Sequence, residues 1–200
     1  MKKLPFSFYR HDDILGIARA LMGKLLVTVN GQSVCSGRIV ELEAYAGETD
    51  KASHAWNGRR TQRNEVMYGA GGSAYVYLCY GIHHLFNVVT GSADQPHAVL
   101  IRALEPVKGI AIMEKRMKRK ADHTITRGPG NLSKAMGIDL RQNGISLRSE
   151  TLYVADDGFV FPDQLISLSP RIGVDYAGED AKRLYRFYIK GNPFVSGKPR

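Results

Sequence analysis

The stretch from Arg38 to Asn87 constrains the fold of this chain more than any other part of it. RIVELEAY opens it as an apolar strand ending on a carboxylate, Glu43, and a tyrosine, Tyr45. A polar, basic loop follows, KASHAWNGRRTQRN, and then Gly69, Gly71 and Gly72 break the chain before SAYVYLCYG. In that second strand Tyr75, Tyr77 and Cys79 share one face and Val76, Leu78 and Tyr80 the other, because side chains alternate along a strand. LLVTV leads into the first strand across Asn30–Gly31, a pair that favours a tight hairpin turn. LFNVVT and HAVLIRAL follow the second strand, separated by a turn containing Gly91, Asp94 and Pro96.

Helical spacing interrupts this strand pattern. His11 to Leu26 repeats Ile14, Leu15, Ala18, Leu21, Met22 and Leu25 behind two candidate caps, Asp12 and Asp13. Pro106 is expected to start a second helix, with Ile110, Met113 and Met117 as its buried stripe. TRGPGNLSKAMGI predicts a glycine-rich turn into a short helix ended by Gly137. Backbone amides in such a turn make a seat for phosphate, although the spacing matches neither a Walker nor a Rossmann fingerprint. No nucleotide cofactor is expected. ISL, TLYVADD, SLSPRIGV and YRFYIKG read as short strands. The mixture predicts an α+β fold, and strand-then-hairpin order disfavours a regular βαβ sheet. No repeat or linker divides residues 1–200, so one domain is expected.

Charge narrows the partners. The formal net charge is +9, and a basic balance of this kind points to nucleic acid or another acidic surface. Eight lysines and arginines against three acids lie between Glu105 and Lys134, and six basic residues with no acid follow Asp180. Two separate basic blocks suit a phosphate backbone. No apolar run approaches the roughly 20 residues of a membrane span, and the N-terminus lacks a signal-peptide core. A cytosolic protein without a membrane partner is the expectation. Cys35 and Cys79 lie in strand-like segments and read as reduced, buried thiols. No histidine or cysteine spacing predicts a metal.

Glu43 is the sharpest catalytic candidate, since one carboxylate beside an aromatic and a basic loop can serve as a general base toward water. On periodicity alone an ordinary exposed glutamate at a strand end competes with that reading, and Glu41 on the same face is a rival. The tyrosines serve equally as sheet packing or as a base-stacking platform. His54 and the arginines of GRRTQR read by default as a solvated loop.

These segments, together with FNVV, VLIRALEP, RGPGNLSKAMGI, RIGV and RFYIKGNPFVS, resemble the 3-methyladenine/alkyladenine DNA glycosylases of base-excision repair. The resemblance runs from about Gly37 to Ser196. It implies a compact domain with a mainly antiparallel curved sheet, a protruding β-hairpin and surrounding helices. It also implies a monomer that binds double-stranded DNA with damaged purines, flips the purine out and needs no cofactor. By position, Glu43 matches the general base, while Arg102 and the backbone carbonyl of Ile172 match groups that hold its water. Tyr45 and His54 match one wall of the base pocket and Tyr77 the opposite wall. Tyr80 matches the wedge that fills the vacated stack, and Asn87 the residue that excludes the 2-amino group of guanine. Arg59, Arg63, Arg127, Gly128, Gly130 and Lys134 are the expected contacts to the DNA backbone. A non-catalytic nucleic-acid-binding protein, or an RNA-modifying enzyme, would carry the same basic and aromatic surface.

Overall fold

The computed structural model describes residues 1–197. Among the described residues nine strands join one antiparallel system, seven of them in the spatial order β1-β7-β2-β3-β6-β5-β4. In chain order these are β1 (Lys2–Lys3), β2 (Leu25–Asn30), β3 (Ser33–Ala46), β4 (Ala74–Cys79), β5 (His83–Thr90), β6 (His97–Lys108) and β7 (Leu152–Asp156). Two short strands, β8 (Ile166–Ser169) and β9 (Arg186–Ile189), pair with each other, and β9 also pairs with β3. Four helices accompany the sheet: α1 (Phe6–Tyr9), α2 (Ile14–Leu21), α3 (Ile110–Met117) and α4 (Pro129–Met136). The α+β fold with a curved antiparallel sheet is the one expected.

The fourteen-residue strand β3 is where the sheet divides. Along Ser33–Arg38 one edge pairs with β2, and along Glu41–Glu43 the same edge pairs with β9. Its other edge pairs with β6, with register shifts at Ser36/Gly37, Ile39/Glu41 and Glu41/Leu42. Ile39 pairs with Leu104, Glu41 with Ala103 and Leu42 with Ile101, so Val40 on β3 and Arg102 on β6 are each an extra, unpaired residue. Such bulges bend a strand and re-aim a side chain. Here they curve the sheet beneath Glu41, Glu43 and Arg102.

One buried cluster runs from Leu4 to Val195, with Ile17 and Leu21 of α2, Met113 of α3 and Leu132 and Met136 of α4 packed against Ile39, Ile101 and Leu104. Several elements differ from their sequence reading. The helix expected over His11 to Leu26 is α2 and spans only Ile14–Leu21, capped by Asp13, whose carboxylate accepts from the Gly16 amide. Met22 is extended and Gly23 has a φ of 84°, so Leu25 belongs to β2 rather than to the helix. Pro106 lies inside β6, opposite Gly37, and α3 begins after Gly109 with Ile110 43% exposed. The hairpin after β2 turns on Gly31–Gln32, one residue later than Asn30–Gly31, with Gly31 at φ 57° and Asn30 paired with Ser33. ISL contributes only a single bridge, Ser146 to Ser73.

The glycine break before the tyrosine strand has a steric cause. A Cβ on Gly71 would overlap the Tyr9 carbonyl and lie against the Thr90 backbone. Gly71 donates to Gly91, which in turn donates to Tyr9, so α1 and the end of β5 close on this point. Only a residue without a side chain allows that approach. The tyrosine strand then ends at Cys79. Tyr80 lies beyond it at φ 50°, at the tip of the β4–β5 hairpin, and not on a strand face with Val76 and Leu78.

Candidate active site

Glu41, Glu43 and Tyr45 project from the same face of β3, and the bulge on β6 points Arg102 toward both carboxylates. Glu41 and Glu43 are completely buried. The strand-end, solvent-exposed glutamate is therefore not what forms: β3 continues past Glu43, which pairs with Leu100 on one side and Arg186 on the other.

The two carboxylates have different partners. Glu41 Oε1 accepts from Arg102 Nε at 2.9 Å, Arg186 Nε at 2.8 Å and Ser196 Oγ at 2.9 Å, and its Oε2 accepts from the Ser196 amide at 2.6 Å. Arg186 also donates to Ser169 Oγ and the Ser196 carbonyl. Glu43 Oε2 accepts from the Tyr45 hydroxyl at 2.8 Å and Arg102 Nη1 at 3.2 Å. Its Oε1 accepts from the backbone amide of Ile172 at 2.8 Å. Thus Ile172 reaches the carboxylate through its backbone amide.

All three partners of Glu43 line one cleft of about 580 Å³, whereas of the partners of Glu41 only Arg102 does. That volume suits a ligand of the size of a base with its sugar. Glu41 is held by structural groups, and Glu43 sits directly under the floor of the cleft. Two carboxylates and two guanidiniums in this cluster balance in charge, which is how buried ions are tolerated. Burial works against the charge of Arg102, but Glu43 and Glu41 outweigh it and hold its pKa above the ordinary value. Burial, with Glu43 beside it, raises the Tyr45 phenol well above its usual range and keeps it a hydrogen-bond donor.

The cleft also takes in His54, Tyr75, Tyr77, Tyr80, Asn87 and Tyr176. His54 Nδ1 is 2.8 Å from the Tyr75 hydroxyl, and burial together with Arg63 and Arg59 pushes the imidazole down to about 4. It is neutral at neutral pH. The His54 and Tyr77 rings are in edge-to-face contact, with centroids 4.6 Å apart. A flat base between two rings needs two contact distances, roughly 7–8 Å. His54 and Tyr77 therefore form adjoining parts of one wall and are not facing walls, which corrects that part of the sequence reading. Asn87 is buried, donates from Nδ2 to the Tyr75 carbonyl at 3.1 Å, and lines the same cleft. Tyr80, 92% exposed, stands at its rim beside Gly81 and the exposed Ile82.

The expected backbone-binding residues are spread around this opening. Arg63 donates to the Leu78 carbonyl, and its guanidinium lies 5.2 Å from the Tyr77 ring centroid. Arg59 and Lys134 are exposed. Arg127 is half-buried and donates to the Val195 carbonyl, Gly128 enters α4 at φ 85°, and Gly130 packs against the His83 ring. Pro129, the first residue of α4, lines the cleft, so the helix start lies at its rim.

Several residues of the site escaped the sequence reading. Arg171 is buried and pairs with Asp50 through both terminal nitrogens, donates to the Ala44 carbonyl, and lies 4.8 Å from the centroid of Tyr45. It carries no local signal, since its partner is far along the chain. Tyr75 was legible, as the residue two before Tyr77 on one strand face. Among the described residues no three His, Cys, Asp or Glu side chains converge on a metal position, and no helix is long and apolar enough to cross a membrane.

A buried, donor-laden carboxylate below an aromatic cleft with cations at its mouth suits the class of hydrolytic enzyme that takes a flat group carried by an anionic chain. Comparison with known proteins is consistent with that class. The family model described as methylpurine-DNA glycosylase matches residues 7–193. A Bacillus cereus (strain G9842) protein is 48% identical over 203 aligned positions, covering 97% of this chain and 98% of the relative. A Bacillus anthracis (strain A0248) protein is 47% identical with the same coverage, and both bear the name "Putative 3-methyladenine DNA glycosylase". The chain belongs to the methylpurine-DNA glycosylase family, whose members are DNA-binding hydrolases of DNA repair.

Proposed function

We propose that this protein removes alkylated purines such as 3-methyladenine, and deaminated ones such as hypoxanthine, from duplex DNA by hydrolysing the N-glycosidic bond. The observation that carries the reading is Glu43: a fully buried carboxylate whose three hydrogen-bond donors all line a cleft large enough for one nucleotide.

In the reaction, water adds hydroxide to the sugar carbon, and the base departs with the electron pair of the broken bond. The sugar passes through an oxocarbenium-like state, so the anionic carboxylate both attracts the developing charge and takes the proton from water. Arg102 and the Ile172 amide hold Glu43 in place. Tyr45, His54 and Tyr77 receive the flipped base. An alkylated purine is cationic and gains about 0.5–2 kcal/mol from a tyrosine face. A neutral lesion lacks that gain and needs a proton on the leaving base. Asn87, fixed by its bond to Tyr75, blocks a 2-amino group, and Tyr80 fills the gap in the duplex. No lysine lines the cleft, which supports hydrolysis to an intact abasic strand rather than cleavage through a Schiff base.

The test is single-turnover incubation with duplexes holding 3-methyladenine or hypoxanthine at one position. Free base released with the strand uncut is expected. Duplex binding without base release would replace the enzyme by a nucleic-acid-binding protein.

A further inference from the structure

A second cleft adjoins the first and has no place in the mechanism above. Its volume is about 530 Å³, close to that of the base cleft, and it is lined by Lys51, Trp56, Arg59, Thr61 and Asn64 together with four residues that also line the base cleft. The shared wall is Ser53, His54, Arg63 and Tyr176. Its aromatic not shared with the base cleft is Trp56, the only tryptophan of the chain and 45% exposed. Trp56 begins a short turn whose next two residues, Asn57 and Gly58, have φ of 57° and 72°.

Charge is what singles this cleft out. Lys51 Nζ lies 5.9 Å from the Trp56 ring centroid, and Arg63 donates to the Leu78 carbonyl. Neither they nor Arg59 makes an ion pair among the described residues, whereas neighbouring Arg60 holds both Glu65 and Asp94. No carboxylate lines the cleft. Three unneutralised cations around an exposed indole call for a ligand that is flat at one end and anionic at the other. An unpaired nucleotide has that chemistry, since base stacking on an aromatic tolerates any base and the cations take the phosphate. The shared wall sets its position. A strand with one nucleotide in the base cleft can pass its neighbour along Arg63 and Tyr176, into the space beside Trp56.

We propose that the Trp56 cleft is a second nucleotide subsite, with a base against Trp56 and its phosphate among Lys51, Arg59 and Arg63. The choice of a nucleotide as ligand rests on the glycosylase reading; the cleft and its charge do not. The ligand is either the neighbour of the flipped nucleotide on one strand or a free mononucleotide.

Trp56 is its own reporter. Its emission is followed in the full-length protein on titration with an undamaged five-nucleotide oligothymidylate and, separately, with thymidine 5′-monophosphate. Saturable quenching is expected, weakened by salt and by Lys51→Ala. Tighter binding of the oligonucleotide assigns the site to a strand, and equal binding assigns it to a free nucleotide. In the second measurement a fluorescently labelled oligothymidylate reports binding by anisotropy. Trp56→Ala is expected to lose about ten-fold in affinity and Trp56→Phe, which keeps a ring, to recover most of it. Circular dichroism confirms that each variant is folded. Unchanged emission with both probes overturns the subsite, as does affinity indifferent to Lys51→Ala and Trp56→Ala, which would place binding in the base cleft. Excision from damaged duplex is measured alongside. Excision without quenching removes the subsite alone, and quenching without excision removes only the glycosylase reading.

Discussion

Glu43 and Glu41 lie two residues apart on one strand, both buried, yet their surroundings give them different work. Glu43→Gln keeps the volume and the donors from Tyr45, Arg102 and Ile172 while removing the base that accepts a proton from water. Excision under single turnover is expected to fall by about 10²–10⁴-fold with duplex binding retained. Retained excision would shift the role to Glu41. A second residue-scale prediction concerns His54. Its imidazole is pushed down to about 4 by burial and by Arg63 and Arg59, while a histidine in the unfolded chain protonates near its ordinary 6.5. Between those values the unfolded state binds more protons. The contribution of His54 to stability is therefore complete above about pH 6.5 and is lost as pH falls toward 4. His97, also lowered by burial, acts in the same direction. Thermal unfolding followed from pH 7 to about pH 4.5 should show a shallower fall for His54→Asn than for wild type. Equal slopes would mean that His54 is free to protonate in the folded protein.

At the scale of elements, the site depends on how the loop after β3 is tied to the segment before β9. Arg171 does this by gripping Asp50 and the Ala44 carbonyl, and the next residue delivers its amide to Glu43. Asp50 in turn accepts from the Ala46 and Ala52 amides. Removing one partner of such a buried pair leaves the other charge uncompensated, at a cost of about 3–5 kcal/mol. Arg171→Met is expected to lower stability by that amount in chemical denaturation, and a loss under about 1 kcal/mol would show the pair to be dispensable. The β4–β5 hairpin is the opposite kind of element. Tyr80 at its tip touches solvent almost entirely, so Tyr80→Ala should leave the melting temperature unchanged while slowing excision from duplex DNA. Excision as fast as wild type would assign the wedge elsewhere.

What could be read in advance follows from the range of the interactions. RIVELEAY, the tyrosine strand and the α4 cap and stop are local patterns, and they fold as their residues suggest. The length of α2 and the start of α3 depart from the sequence pattern because apolar spacing continues past Met22, where Gly23 turns the chain, and because Pro106 tolerates an edge of β6 beside a bulge. The burial of Glu43 was not legible. It comes from Arg102 and Ile172, 59 and 129 residues further on, and Arg102 is aimed by a bulge that no local pattern announces. The family resemblance supplied those positions, and the structure supplied their partners: the Ile172 amide on Glu43, and His54 leaning on Tyr77 where the two were expected to face each other.

For the whole molecule, net charge is a poor guide to DNA contact, because many of the cations are already spent. Arg38, Arg60, Arg119, Arg141 and Arg183 each hold a carboxylate at or near the surface. Arg59, Arg63 and Lys134 are exposed, near or beside the cleft-bearing loop and α4, and make no ion pair among the described residues. These three are among the cations positioned to displace counterions from a phosphate backbone. Each such contact contributes about −0.9 to the slope of log affinity against log salt concentration on duplex DNA, so three contribute about −2.7. Arg63→Ala and Lys134→Ala should each flatten the measured slope by about one, whereas Arg60→Ala, losing a cation already neutralised by Glu65 and Asp94, should leave it nearly unchanged. Equal flattening by Arg60→Ala would show that the duplex binds by overall charge and not through the cations left free around the cleft.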